Sequence, residues 1–291
     1  MRLVKQNTSN FIWLIFAALD GIISAKLWLF EMIMQETDKL RFGGTERLYG
    51  VNGVEKLSRA KVTVVGIGGV GSWVAEALAR SAVGQITLID LDDVCVTNTN
   101  RQIHAMSSTV GQMKVEVMAQ RLKSINPACE VKAVTDFITS DNQAELLADR
   151  PDYVIDAIDS IKAKVALIAY CKRQKIKLLT IGGAGGQKDP MKITTGDLAK
   201  TTQDPLAARV RNELRRNYNF SKNPKRRFGI ECVYSTEQFT YPVADGSVCQ
   251  QKQFTEGSVR LDCAGGIGAS VVVTATFGMT CSSVVIRELS K

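Results

Sequence analysis

Four glycines, Gly66, Gly68, Gly69 and Gly71, punctuate the stretch KVTVVGIGGVGSW at 61–73. A β-branched run feeds them, and a run with helical apolar spacing, GSWVAEALARSA, leaves them. Glycines so placed let backbone N–H groups approach phosphate oxygens, and the following helix N-terminus favours negative charge. Asp90 closes the next apolar run, 19 residues beyond Gly71, where a carboxylate reaches ribose hydroxyls. To this point NAD, FAD and ATP all fit. So does a tight strand–helix turn with no ligand.

The segment DLDDVCVTNTNRQIH at 90–104 separates them, because a plain NAD enzyme has no need of Asn–x–x–Arg–Gln at this place. The string resembles the ubiquitin-activating-enzyme-like superfamily, which includes the molybdopterin and thiamin adenylyltransferases. Asp90, Asp92, Val94, Asn98, Arg101 and Gln102 match its D-x-D-x-V-x-x-x-N-x-x-R-Q pattern. The resemblance implies that the glycine loop binds ATP. It further implies that Lys114 contacts phosphate, that the acids of DAIDS (Asp156 and Asp159) position Mg2+, and that Arg47 reaches across a homodimer. Adenylation brings a carboxylate to the α-phosphate of ATP and expels pyrophosphate, so the crowded oxygens need cations around them. Arg101, Lys114 and Mg2+ on Asp159 meet that need. Asn98 can donate a hydrogen bond without adding charge, and a carboxylate suits a hard ion such as Mg2+. Taken singly, Lys114 also fits a solvated helix face and Asp156 a strand-end cap. The ordered set behind a glycine loop is what selects the functional reading.

Within the superfamily the zinc-binding CxxC pairs of the molybdopterin and thiamin members are missing. The strings RFGGTERLYG, GGAGGQKDP, DLAKTTQDPLA, CVYSTE and TATFG bring the chain closest to the tRNA threonylcarbamoyladenosine dehydratases, over about Leu40 to Ser290. That resemblance implies ATP-driven activation of the threonine carboxylate of N6-threonylcarbamoyladenosine in tRNA, at the adenosine beside the anticodon. The substrate's own carbamoyl group then attacks, a cyclic product forms and AMP leaves. No enzyme nucleophile is required, since the attacking group is already held on the substrate.

These residues need a frame. After Met34 strand-like and helix-like runs alternate: 61–67, 71–82, 85–90, 114–126, 129–136, 141–149 (with Asp141 as a helix cap), 152–159, 161–174 and 176–183. Such alternation predicts an α/β fold, Rossmann-like, with a mostly parallel sheet and helices on both faces. Residues 187–262 break the pattern as a loop-rich excursion in which TYPV and SVRLD offer short strands. The apolar run 263–285 then closes the chain as a long helix. We therefore expect one adenylating domain over 34–291 and an apolar extension over 1–33 outside its core. Two runs bear on a membrane. The run 11–34 carries a positive flank but is interrupted by Asp20, Lys26 and Glu31, which are costly in lipid. The run 263–285 holds no charged residue and is long enough to span, yet its Gly, Ser and Thr content equally suits a packed core helix. A cytoplasmic enzyme is the reading preferred over either membrane contact.

The net charge is +8, and it is clustered. Lys200 to Phe228 holds nine basic residues against Asp204 and Glu213. Arg209, Arg211, Arg215, Arg216, Lys225, Arg226 and Arg227 stand there, with Tyr218, Phe220 and Phe228 interleaved. This composition suits an RNA backbone with stacking rings, tRNA and not DNA, while a solvated basic helix has the same composition. The seven cysteines are scattered without a CxxC pair, which argues against a disulfide framework and fits a reducing compartment. Cys249 is the best placed for a sulfur-carrying role alongside a cysteine desulfurase, although no basic neighbour to activate it is legible. With His104 the only histidine, a Ser-His-Asp triad with a spare His is excluded; His104 itself reads either as packed or as a nucleotide or tRNA contact.

Overall fold

The computed structural model describes residues 40–243, 245–250 and 267–291. The expected boundary at 33/34, the apolar run 11–34 and the SVRLD strand lie outside the described residues. The chain divides into two compact units, Met1–Leu48 and Tyr49–Lys291. Arg47 belongs to the first, where residues 40–48 are helical.

The second unit opens with α1 (Val51–Arg59) and β1 (Lys61–Val65), followed by α2 (Gly71–Arg80), β2 (Gln85–Ile89) and a 3-10 turn at Val96–Asn98. Then come α3 (Lys114–Ile125), β3 (Glu130–Val134), the short α4 (Gln143–Leu146), β4 (Tyr153–Asp156), α5 (Ile161–Gln174) and β5 (Leu178–Ile181). The chain continues through β6 (Ile193–Asp197), α6 (Pro205–Asn217), β7 (Glu231–Ser235), the hairpin β8 (Tyr241–Pro242) and β9 (Val248–Cys249), and α7 (Val271–Leu289). One seven-stranded sheet runs β3-β2-β1-β4-β5-β7-β6. All its pairings are parallel except β6 with β7. The segment expected to be an excursion thus also returns two strands to the sheet, which the sequence left unassigned.

β1 shows why the sheet is central. It pairs with β2 from Lys61↔Gln85 to Val65↔Ile89 and with β4 from Val62↔Tyr153 to Val65↔Asp156. Its side chains alternate between faces. Val62 and Val64 join one core with Leu78, Ile86, Leu88 and Phe277, and Val65 joins the other with Val154, Leu167 and Leu214. Helices cover both faces, so a parallel strand can be apolar along its length.

Two boundaries differ from the sequence expectation. α4 is one turn, not the run 141–149, and its N-cap position is Asn142, whose side chain makes no capping bond to the helix and instead accepts at Oδ1 from Thr139 N, before it, at 2.7 Å. α7 begins at Val271 and is the one helix among the described residues long and apolar enough to cross a membrane. It is built for packing: a Cβ on Gly278 would lie 2.7 Å from Trp73 Cβ and 2.9 Å from Val70 O. Ser282 Oγ donates to Val74 O at 3.3 Å. The glycine lets α7 press onto α2, burying Val273, Phe277, Cys281 and Val285.

Candidate active site

A cleft of about 760 Å3 lies at the C-terminal ends of the strands, where the order turns between β1 and β4. This is where open α/β sheets bind ligands, because successive crossovers leave to opposite faces. Its floor is the glycine loop. Gly66 has φ +87°, and a Cβ there would stand 2.8 Å from Ala157 O; one on Gly71 would stand 1.8 Å from Gly66 O. Both positions therefore exclude any side chain, and α2 starts directly above the loop.

Asp90 ends β2 and faces this loop. Its Oδ2 accepts from Ile67 N at 2.6 Å and its Oδ1 from Asp92 N at 2.9 Å. Burial pushes its carboxyl up, and Lys114 together with the two backbone N–H groups draws it back. Lys114, the first residue of α3, is buried and donates from Nζ to Asp92 Oδ2 at 2.7 Å. Asn98 Oδ1 accepts from Cys95 N at 3.1 Å, so its Oδ1 shapes the 3-10 turn and Nδ2 is the atom left to donate outward. Arg101 is 7% exposed, donates from Nη1 to Thr97 O and to Asn100 Oδ1 at 2.9 Å each, and its backbone carbonyl accepts from Trp73 Nε1 at 3.0 Å. A Cβ on Gly69 would meet its Cγ at 3.2 Å, so that glycine makes the arginine's seat. Gln102 is buried, and its Oε1 has no hydrogen-bond partner among the described residues. Gly68, Asp92, Asn98, Arg101, Gln102, Lys114 and Asp159 all line the one cleft.

The two acids of DAIDS separate. Asp159 is exposed at the cleft. Asp156 is 0% exposed and bound to Lys164 Nζ at 2.8 Å and Thr180 Oγ1 at 2.7 Å, so it does not face a metal. His104 is also 0% exposed, and neither ring nitrogen has a hydrogen-bond partner among the described residues. Burial, then Lys114 and Arg121, lower it to about 4. It is a packed residue, and the nucleotide or tRNA contact is not available to it.

The basic segment forms α6 and the loop after it. Asp204 caps the helix, its Oδ1 accepting from Ala207 N at 2.8 Å, and Pro205 starts it. Arg209, Arg216, Lys225, Arg226 and Arg227 are exposed. Arg211 instead donates to Thr201 Oγ1, and Arg215 lies 5.3 Å over the Phe228 ring and donates to Ser221 O at 3.3 Å. Phe228 is buried and meets Phe220 edge-on at 5.0 Å, so these two rings are core and not a stacking platform. Of the interleaved aromatics only Tyr218 lines the cleft. Cys249 sits half-buried in β9 and is not among the described residues lining the cleft.

Sequence reasoning missed Phe137, 53% exposed on the cleft wall, and Phe239, buried on the far wall. Phe137 follows the end of β3; its place after a strand terminus was the available signal.

A glycine loop at the switch point of a doubly wound sheet, beneath an arginine, a lysine and an exposed carboxylate, defines an α/β nucleotide-binding protein. The chain matches the ThiF family over residues 44–287 and belongs to that family. It is 54% identical over 259 residues to the tRNA threonylcarbamoyladenosine dehydratase of Escherichia coli strain K12, covering 89% of this chain and 97% of that protein. The Haemophilus influenzae protein of the same name is also 54% identical, over 86% of this chain and 94% of that one. The solved structure of the E. coli tRNA N6-threonylcarbamoyladenosine dehydratase in complex with ATP superposes with TM-score 0.77 at 51% identity, covering 86% of this chain and 94% of that one.

Proposed function

We propose that this chain is an ATP-dependent tRNA-modifying enzyme that dehydrates N6-threonylcarbamoyladenosine by adenylating its threonine carboxylate. The observation that carries the reading is the similarity to the E. coli dehydratase over 97% of that protein's length. The cleft supports it. The side-chain-free cleft wall at Gly68 and Gly69 suits a polyphosphate, and the buried, unpartnered Gln102 Oε1 suits a hydroxyl or amino donor of the nucleoside. Asp90 would hold the ribose, with Asp92 releasing Lys114 as a phosphate arrives.

In the reaction the threonine carboxylate oxygen attacks the α-phosphorus and pyrophosphate departs. The carbamoyl group then attacks the activated carboxyl and expels AMP, so the base loses one water. Arg101, Lys114 and Asn98 stabilise the charge that builds on the phosphoryl oxygens. Mg2+ fits a lone exposed carboxylate, because it binds through one or two carboxylates plus substrate phosphates; bound at Asp159 it would neutralise those phosphates. Arg47 reaches the partner's site in a homodimer. Arg209, Arg216, Lys225, Arg226 and Arg227 contact the tRNA backbone, and the enzyme works in the cytoplasm.

The test is incubation of the protein with Mg-ATP and tRNA bearing N6-threonylcarbamoyladenosine, followed by nucleoside mass spectrometry. Loss of one water is expected; an unchanged nucleoside with intact ATP overturns the reading. Arg101→Ala should lower kcat about 100- to 1000-fold with the fold retained. Cys249→Ala should leave dehydration intact. Its abolition would favour the sulfur-transfer alternative, in which Cys249 works with a cysteine desulfurase.

A further inference from the structure

A second cavity, about 380 Å3, opens beside the first at the start of α6. Phe239 lines both and forms the partition. Tyr241 pairs with it at 6.3 Å between ring centroids, tilted 42°. Gln203, Gln238, Gln250 and the half-buried Arg211 are the polar groups beside them on the described wall; Gln238 Nε2 donates to Gln250 O at 3.4 Å and Arg211 to Thr201 Oγ1, which leaves the Gln203 amide and the Gln238 Oε1 to face a ligand. Asp204 also lines it, but its carboxylate is committed: Oδ1 accepts from Ala207 N at 2.8 Å and Oδ2 from Gly183 N at 2.9 Å. Gly183 lines the first cleft, so the same residue fixes both cavities relative to each other.

The lining discriminates between ligands. A bare phosphate would find one cation among the described residues of the wall, Arg211, next to the Asp204 carboxylate. A sugar or aliphatic group would leave the aromatic pair and the amides unused. A nucleobase uses all of them: a ring face to stack on, and amides that both donate and accept along a base edge.

On the reading that the first cleft brings ATP together with the threonine carboxylate of a modified adenosine, we propose that this second cavity receives an unstacked nucleobase from a nucleotide adjoining that adenosine. To bring its threonine carboxylate to the α-phosphate, the adenosine must leave the base stack of its loop, which costs stacking with its neighbours. A neighbour seated on Tyr241 recovers that stacking. It also holds the chain one nucleotide away from the reacting base, against the face of α6 formed by Pro205, Ala208 and Arg211.

RNA hairpins carrying N6-threonylcarbamoyladenosine test this, either intact or with an abasic site at the 5′ or 3′ neighbour. Turnover with Mg-ATP and fluorescence-anisotropy binding are read for the wild type, Tyr241→Ala, Tyr241→Phe and Gln238→Ala. One abasic hairpin should bind about tenfold or more weakly to the wild type. Tyr241→Ala should lose a similar factor on intact RNA and little more on that abasic RNA, with Tyr241→Phe restored and ATP affinity unchanged. Equal binding of both abasic hairpins and the intact one overturns the proposal. So does an equal loss for Tyr241→Ala on intact and abasic RNA. Failure of the wild type to dehydrate intact RNA would overturn the proposed function instead, and the anisotropy comparison would still decide the cavity.

Discussion

Replacing Lys164 by methionine should be among the most damaging single changes in the molecule, although the residue never touches the cleft. Its Nζ lies 2.8 Å from Asp156 Oδ2, 3.2 Å from Asp156 O and 3.0 Å from Thr180 Oγ1, with 1% of the lysine side chain and none of the aspartate's exposed. Without the ammonium, the Asp156 carboxylate keeps, among the described residues, the Thr180 hydroxyl at 2.7 Å and the Ile158 N–H at 3.2 Å. Stranding one member of a buried pair costs about 3–5 kcal/mol. At about 2–4 °C per kcal/mol for a unit of this size, Tm should fall by roughly 6–20 °C. Urea titration and a thermal scan measure it. The double variant Lys164→Met with Asp156→Leu removes both charges and should recover most of the loss, giving strong non-additivity. A single-variant loss under about 1 kcal/mol, or a double variant as unstable as the two losses summed, refutes the reasoning. ATP affinity should fall with the single variant too, because Asp156 anchors the turn that presents Asp159.

Three further outcomes follow from the site. Gly71→Ala should abolish ATP binding in calorimetry and destabilise the protein, since its Cβ would stand 1.8 Å from Gly66 O, deep inside a van der Waals contact. The pH dependence should carry the mark of His104. Its folded value is about 4 against 6.5 unfolded, so the unfolded chain binds the extra proton between them. Stability is full above 6.5 and falls as pH drops toward 4, by about 3 kcal/mol in all, and His104→Leu should flatten that slope in urea titrations at stepped pH. Changing Arg209, Arg226 and Arg227 to Ala should weaken tRNA binding and reduce the log–log salt slope by about 0.7–0.9 for each phosphate left without its cation.

The glycine loop, the acid after β2 and the alternation that places them were legible because each rests on local pattern: period-2 and period-3.6 burial and backbone freedom at glycine. The cleft residues 98–102 were legible as a string, not as geometry. That Arg101 is seated on Gly69 is a contact across sequence that no local pattern carries. β7 escaped notice because ECVYS holds one β-branched residue, Val233, where KVTVV of β1 holds four, and its strand form rests on pairing with both β5 and β6, far away in sequence. The same blindness separated Asp156 from its role: the acid that ends β4 looks like a ligand until Lys164, eight residues later, turns back beneath it. Phe220 and Phe228 read as stacking rings because composition reports that an aromatic is present and not which way it points.

The packing of α7 on α2 also sets a schedule. Ser282 and Val74, joined across that contact, are 208 residues apart in the chain. At about 5–20 residues per second, a ribosome delivers the second partner roughly 10–40 s after the first. Throughout that interval the helix that leads out of the phosphate loop has an uncovered apolar flank. Nascent chains shortened within α7 should therefore be held by chaperones or cut at α2, and the power to bind nucleotide should emerge late, in a single step, as the last turns leave the exit tunnel.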